Sequence, residues 1–230
     1  MILLAFETST EACSVALWMD GEVRERYGVA PRQHAELALP WAEQLLADAG
    51  IARSRIDGVA VGRGPGAFTG VRLGVALAQG IALALDRPVV PVSTLAALAW
   101  QADGDRILAA IDARMGEVYL GAFKRDAAGL HPLQPEAVGK PDAIEIPAGD
   151  DWHGAGTGFA AADHALQQRL GSRLVSLDPG ALPHAADLAR LAAPILARGE
   201  GVAPERIEPA YLRNNVALTL AEQKAARAAR

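Results

Sequence analysis

The feature that most constrains this chain is an internal echo. Displaced by 105 residues, Ile2-Leu3-Leu4-Ala5-Phe6-Glu7 lies over Ile107-Leu108-Ala109-Ala110-Ile111-Asp112, so five apolar residues meet five and an acid meets an acid. Apolar residues are 51% of the chain and acids 27 of 230 residues, so chance gives such a match about 0.4% of the time at any single offset. A second strand is expected after each carboxylate, at 12–19 in one copy and 117–124 in the other. Asp20-Gly21 is a strong hairpin signal, because a two-residue turn of that kind needs positive φ at its centre; residues 126–129 hold the matching place in the second copy. The chain reads as two copies of strand, acid, strand, turn, strand, with a boundary near 101–105.

Helical patterns follow the first copy. Ala38, Trp41, Ala42, Leu45, Leu46 and Ala49 recur at helical spacing and predict a helix over 33–49, bent at Pro40 and closed by Gly50. A strand is expected at 56–61, then a glycine-rich turn, a long helix from Phe68 to Leu85, a short extended piece between Pro88 and Pro91, and a further helix opening at Ser93-Thr94. A carboxylate ending the first strand of such a unit, twice, is the layout of the actin, hexokinase and Hsp70 ATPase class, where two acids face each other across a cleft and hold a metal and phosphates. Glu7 and Asp112 would form that pair; equally, both can be turn residues leaving strand ends. The phosphate loops do not follow. That class needs glycine two residues after its first acid so that backbone N–H groups approach phosphate, and here Ser9 and Arg114 stand at those places. The run Gly154-Ala155-Gly156-Thr157-Gly158 reads more readily as a plain turn than as a ligand loop.

Several chemistries are excluded. The loop from Gly62 to Gly70 has no Gly-Lys-Ser/Thr, so it is not a P-loop; its G-x-G-x-x-A spacing lacks an acid ending the next strand, so it is not a dinucleotide fingerprint. None of the five histidines forms an i, i+4 pair, and Cys13 alone can make no internal disulfide. A net charge of −5 and a low aromatic content, 5%, do not suit a protein that grips nucleic acid unaided. The N-terminus lacks a basic signal region, and the apolar stretch 73–85 falls short of the ~20 residues of a spanning helix, so a cytoplasmic protein is expected.

The long helix is the odd element. Between Phe68 and Leu85 only Thr69, Arg72 and Gln79 are polar, while Gly66, Gly70, Gly74 and Ala78 recur every four residues. Each interior glycine costs ~0.8–1 kcal/mol relative to alanine, and close approach of another helix offsets such a cost. A partner polypeptide is expected on this edge, with the 33–49 helix beside it. The expected interface is Ala38, Trp41, Leu45, Gly70, Val71, Gly74 and Ala78.

Three motifs, Gly62-Arg-Gly-Pro-Gly-Ala-Phe-Thr-Gly-Val-Arg-Leu-Gly74, Ala110-Ile-Asp-Ala-Arg-Met-Gly-Glu-Val-Tyr119 and Tyr211-Leu-Arg-Asn-Asn215, resemble those of the TsaB (YeaZ) family of bacterial tRNA threonylcarbamoyladenosine biosynthesis proteins. Glu7-Thr-Ser-Thr-Glu-Ala-Cys-Ser-Val-Ala16 and Ser93-Thr-Leu95 fit it too, and the likeness runs from Met1 to about Ala217, loosely over 126–204. The resemblance implies an α/β fold of two tandem RNase H-like units of the actin-like ATPase class, at 1–103 and 104–213, with a helical or frayed tail at 214–230. It implies a non-catalytic scaffold in forming N6-threonylcarbamoyladenosine at position 37 of tRNAs reading ANN codons. The partners implied are TsaD, the metal-binding transferase, and TsaE, an ATPase, with self-association in isolation and tRNA met mainly through partners. TsaD carries H-x-x-x-H on the corresponding helix; here His34 is followed by Ala38. No catalytic residue, metal or cofactor is expected for the chain by itself, and a nucleotide at a partner interface stays open. Glu7, Arg63, Asp112 and Arg114 would line a degenerate cleft. The alternative is a free-standing actin-like or sugar-kinase-like ATPase using Glu7 and Asp112 with magnesium.

Overall fold

In the computed structural model of the chain, residues 1–213 are described, and the tail expected at 214–230 lies outside them. Strands β1 (Ile2–Glu7), β2 (Ala12–Met19) and β3 (Glu22–Val29) form an antiparallel meander, and β4 (Gly58–Gly62) and β5 (Val89–Val92) extend it in parallel. The strand order is β3-β2-β1-β4-β5. The second sheet repeats this plan: β6 (Arg106–Arg114), β7 (Glu117–Asp126) and β8 (Gly129–Pro132) form the meander, β9 (Ala137–Gly139) also pairs with β7, and β10 (Trp152–Ala155) and β11 (Leu174–Asp178) add in parallel. Its order is β11-β10-β6-β7-β8, the same sequence outward from the first strand. The apolar runs that echo each other, 2–6 and 107–111, are the central strands of the two sheets. A strand covered on both faces has no polar side to show, which explains the unbroken runs.

Among the described residues five helices cover the sheets: α1 (His34–Asp48), α2 (Phe68–Leu85), α3 (Thr94–Gln101), α4 (Ala161–Leu170) and α5 (Ala185–Ala197). Ser93 caps α3, its Oγ accepting from the N–H groups of Leu95 and Ala96 at 3.1 and 3.2 Å. One face of the first sheet, with Leu4, Phe6, Val15 and Val61, packs on α1 and α2. Its other face, with Leu3, Ala5 and Ala60, is covered by Leu188, Ala189 and Ala192 of α5, which comes from the far end of the sequence. In exchange α3, from the first half, packs through Leu95 and Leu98 on Ile107 and Ala109 of the second sheet. The second sheet's remaining face meets α4 through Leu166 and Leu170.

The expected interface requires correction. Ala38, Leu45, Val71, Gly74 and Ala78 are buried in the chain's own core, and Gly70 and Trp41 are half-buried against it. The glycine edge of α2 faces the turn after β1. A Cβ on Gly70 would lie 2.0 Å from the Thr8 carbonyl oxygen, and one on Gly74 would lie 2.8 Å from Thr8 Oγ1. Thr8 Oγ1 donates to the Gly70 carbonyl at 2.8 Å. The small residues let this turn ride on the helix, so their close approach is intramolecular. Gly80, by contrast, has nothing among the described residues within 4 Å of an added Cβ.

Candidate functional site

Glu7 ends β1 and is fully buried. Its Oε1 accepts from the Ser9 amide at 2.7 Å and its Oε2 from Thr94 Oγ1 at 3.1 Å, while Ser9 Oγ and Thr94 Oγ1 share a hydrogen bond of 2.9 Å. Every partner is neutral, so burial pushes the carboxyl above its ordinary range, against the lowering effect of these hydrogen bonds. Asp112 sits otherwise. It ends the regular part of β6, where a bulge gives Arg114 a φ of +64°, and it lines an open cleft. Its Oδ1 accepts from the Arg114 amide at 2.8 Å and its Oδ2 from the guanidinium at 3.1 Å. The acid pair of the ATPase alternative is therefore not assembled. Glu7 is sealed behind Ser9 and Thr94, Asp112 is matched by Arg114, and the two do not fit a magnesium–phosphate site between them.

The cleft lies between the two sheets and holds about 1080 Å³. Its walls are the start of α1, the first turn of α2, the β6–β7 hairpin and residues 210–213. That last segment straps the two halves together. The Ala210 amide donates to the Arg63 carbonyl at 2.8 Å, Arg72 Nε donates to Tyr211 Oη at 2.7 Å, and Arg213 donates to the Ala113 carbonyl at 3.2 Å and pairs with Glu117. Arg63 stands exposed outside the cleft lining. His34 does line the cleft, but its Nε2 faces the carbonyl oxygens of Thr10 and Ala12 at 2.9 and 3.1 Å. That nitrogen must carry the proton to bond either oxygen, so it offers no lone pair to a metal. A second hollow of about 610 Å³ lies between α4 and β11 and contains none of the residues singled out in the sequence.

The outward face of α2 is the other notable surface. Ala76, Gly80, Leu83 and Ala84 are exposed and Leu73, Leu77 and Ile81 half-buried, with no charge between Arg72 and Asp86. The polar exception, Gln79, bends aside to donate to the carbonyls of Pro204 and Ile207. Of the four residues expected in a degenerate cleft, Asp112 and Arg114 line this space as neighbours, while Glu7 and Arg63 do not line it. Sequence reasoning gave no role to Arg72, Phe68, Tyr211 or Arg213, whose only signal was the presence of a single charge in an otherwise apolar helix and a motif near the chain's end.

A family model described as TsaD: tRNA N6-adenosine threonylcarbamoyltransferase matches residues 19–220. The tRNA threonylcarbamoyladenosine biosynthesis protein TsaB of Escherichia coli (strain K12) is 44% identical over 226 residues, covering 94% of this chain and 96% of that protein. The protein of the same name from Haemophilus influenzae is 38% identical over 230 residues, covering 94% and 95%. The solved structure of YeaZ from Pseudomonas aeruginosa superposes with a TM-score of 0.84 at 47% identity, covering 92% of this chain and 99% of that one. With matches that span both repeats, the chain belongs to the TsaB (YeaZ) family of tRNA threonylcarbamoyladenosine biosynthesis proteins, within the TsaD-like group.

Proposed function

We propose that this chain is a non-catalytic scaffold subunit in the formation of N6-threonylcarbamoyladenosine at position 37 of tRNAs reading ANN codons, pairing with the transferase TsaD and with the ATPase TsaE in the cytoplasm. The observation that carries the pairing is the outward face of α2. The helix has a mean hydropathy of 1.6 with only 28% of its residues buried, and Leu83 on that face is 61% exposed. An apolar stripe of this length on a protein surface marks an association site. Gly80 at its centre leaves room for a partner backbone, and α1 flanks it through the shared core. The same face serves self-association when the chain is alone. The non-catalytic reading rests on Glu7, His34 and Asp112, each already committed to partners within the chain. The two sequence units, 1–103 and 104–213, act as one platform rather than as the jaws of an enzyme, and no cofactor is assigned to the chain itself.

Gly80→Glu tests the pairing. Glutamate favours a helix more than glycine does and meets none of the described residues here, so the monomer stays folded while a charge enters the stripe. Co-purification with TsaD is expected to fall at least tenfold, with thermal unfolding of the isolated chain unchanged or raised. Unchanged co-elution rules this face out. A modification assay lacking each subunit in turn tests the role: product from this chain alone refutes the scaffold reading.

A further inference from the structure

The cleft reverses the charge of the molecule. The chain carries a net −5, yet the cleft walls hold Arg32, Arg72, Arg114 and Arg213 against Glu11 and Asp112. Arg114 is paired with Asp112 and Arg213 with Glu117. Among the described residues, Arg32 and Arg72 have no carboxylate partner. Arg72 lies instead over an aromatic ring, its guanidinium carbon 3.7 Å from the Phe68 centroid, and donates to Tyr211 Oη at 2.7 Å. Phe68 and Tyr211 are 58% and 53% exposed, their centroids 6.3 Å apart and their planes inclined by 35°. Two half-bare rings around an unneutralised arginine, at the mouth of a basic cleft, are the groups on which unpaired bases stack and a phosphate backbone runs.

The distribution of charge separates an RNA strand from a mononucleotide. A polyphosphate cradle concentrates backbone N–H groups in a glycine loop, and the side chains of Ser9 and Arg114 occupy both places where such a loop would form. The arginines are instead spread along the walls: ahead of α1, at the start of the second turn of α2, on the β6–β7 hairpin and on the 210–213 strap. A space of about 1080 Å³ admits one or two nucleotides and excludes a duplex. We infer that this cleft holds a single-stranded segment of RNA, with phosphates on Arg32 and Arg72 and a base stacked on Phe68 or Tyr211. This rests on the proposed role in tRNA modification and gives the subunit a direct, weak contact with the tRNA that its overall acidity conceals.

The test titrates the full chain into a fluorescein-labelled ten-nucleotide single-stranded RNA at several salt concentrations, with anisotropy as the readout. Binding is expected to weaken with salt. Arg32→Ala and Arg72→Ala are each expected to lower the slope of log K against log salt by about 0.7. Phe68→Ala is expected to weaken binding at least about fivefold at unchanged slope, since it removes stacking and no charge. Arg32→Ala keeps the test sound if Arg72→Ala disturbs the strap, because Arg32 is exposed and makes no side-chain bond among the described residues. Absence of RNA binding at low salt, unchanged slopes in both arginine variants, equal affinity for a duplex of the same length, or displacement of the RNA by equimolar AMP each overturns the inference. If RNA binding fails while co-purification with TsaD persists, this inference alone falls and the partner reading stands.

Discussion

Glu7 and Asp112 show how one residue type at one place in a repeated unit comes to differ. Both end a central strand, but Glu7 is closed over by the β1–β2 turn and Asp112 looks into the cleft. For Glu7 the consequence is a dependence of stability on pH. A carboxyl whose value rises on folding binds more protons in the native than in the unfolded state. Its contribution is complete below the unfolded value near 4.5 and is lost as pH rises through the higher folded value. Glu7→Gln keeps an oxygen for the Ser9 amide and presents an amide N–H group to Thr94. It is expected to match wild type within about 1 kcal/mol at pH 4.5 and to exceed it at pH 8. Glu7→Ala strands the buried Ser9 amide and opens a cavity, at a cost of about 2–4 kcal/mol. Urea unfolding at the two pH values checks both; parallel pH dependence in wild type and Glu7→Gln would mean that the buried carboxyl is ionised.

At the scale of the element, α2 has two faces built from the same residue types for opposite reasons. Gly70 touches the Thr8 carbonyl, so Gly70→Ala overpacks the helix–turn contact and is expected to cost about 1–3 kcal/mol. A Cβ at Gly80 meets nothing among the described residues, so Gly80→Ala is expected to stabilise by about 0.8–1 kcal/mol, since only helix propensity changes. Thermal melts separate the two, at roughly 2–4 °C per kcal/mol for a chain of this size; equal shifts of one sign would show that both glycines see the same surroundings. The bounds of α2 were legible, because it follows Pro65-Gly66 and stops at Asp86, whose φ of +53° no helix continues. The central strands were legible because burial on both faces leaves an unbroken apolar run. Which body covers the glycine edge was not, since periodicity assigns residues to a face without naming what lies against it, and Thr8 is 62 residues from Gly70. The strap was illegible for the same reason: Tyr211 reaches Arg72 across 139 residues and Arg213 reaches Glu117 across 96, in a segment with no period of its own.

The whole molecule is held together by an exchange of helices that the repeat conceals. The echo divides the sequence near 103, yet α3 lies on the second sheet and α5 returns to the first. The return is fastened by polar contacts. Glu25 on β3 accepts from Ser14 Oγ at 2.6 Å and from the Ala186 amide at 2.9 Å, and meets His184 Nδ1 at 2.9 Å; Ser14 Oγ accepts from the Ala185 amide at 2.8 Å. Two residues of the first sheet thus bind the free N–H groups at the start of α5, and Tyr27 stacks on His184 at 4.0 Å. A chain of residues 1–103 would keep α3 without its sheet and lose the cover over Leu3, Ala5, Ala60 and Val90. Residues 104–230 would lose Leu95 and Leu98 from one face of the second sheet and leave α5 without its own. A net stability of about 5–15 kcal/mol does not survive an open sheet face, so neither fragment is expected to fold alone. Circular dichroism should show no cooperative melt for either, co-expression of the two should restore a soluble complex, and the intact chain should unfold in a single transition. A cooperatively folded 1–103 fragment would show that α5 is an ornament on the first sheet, and the molecule would then be two separable bodies rather than one.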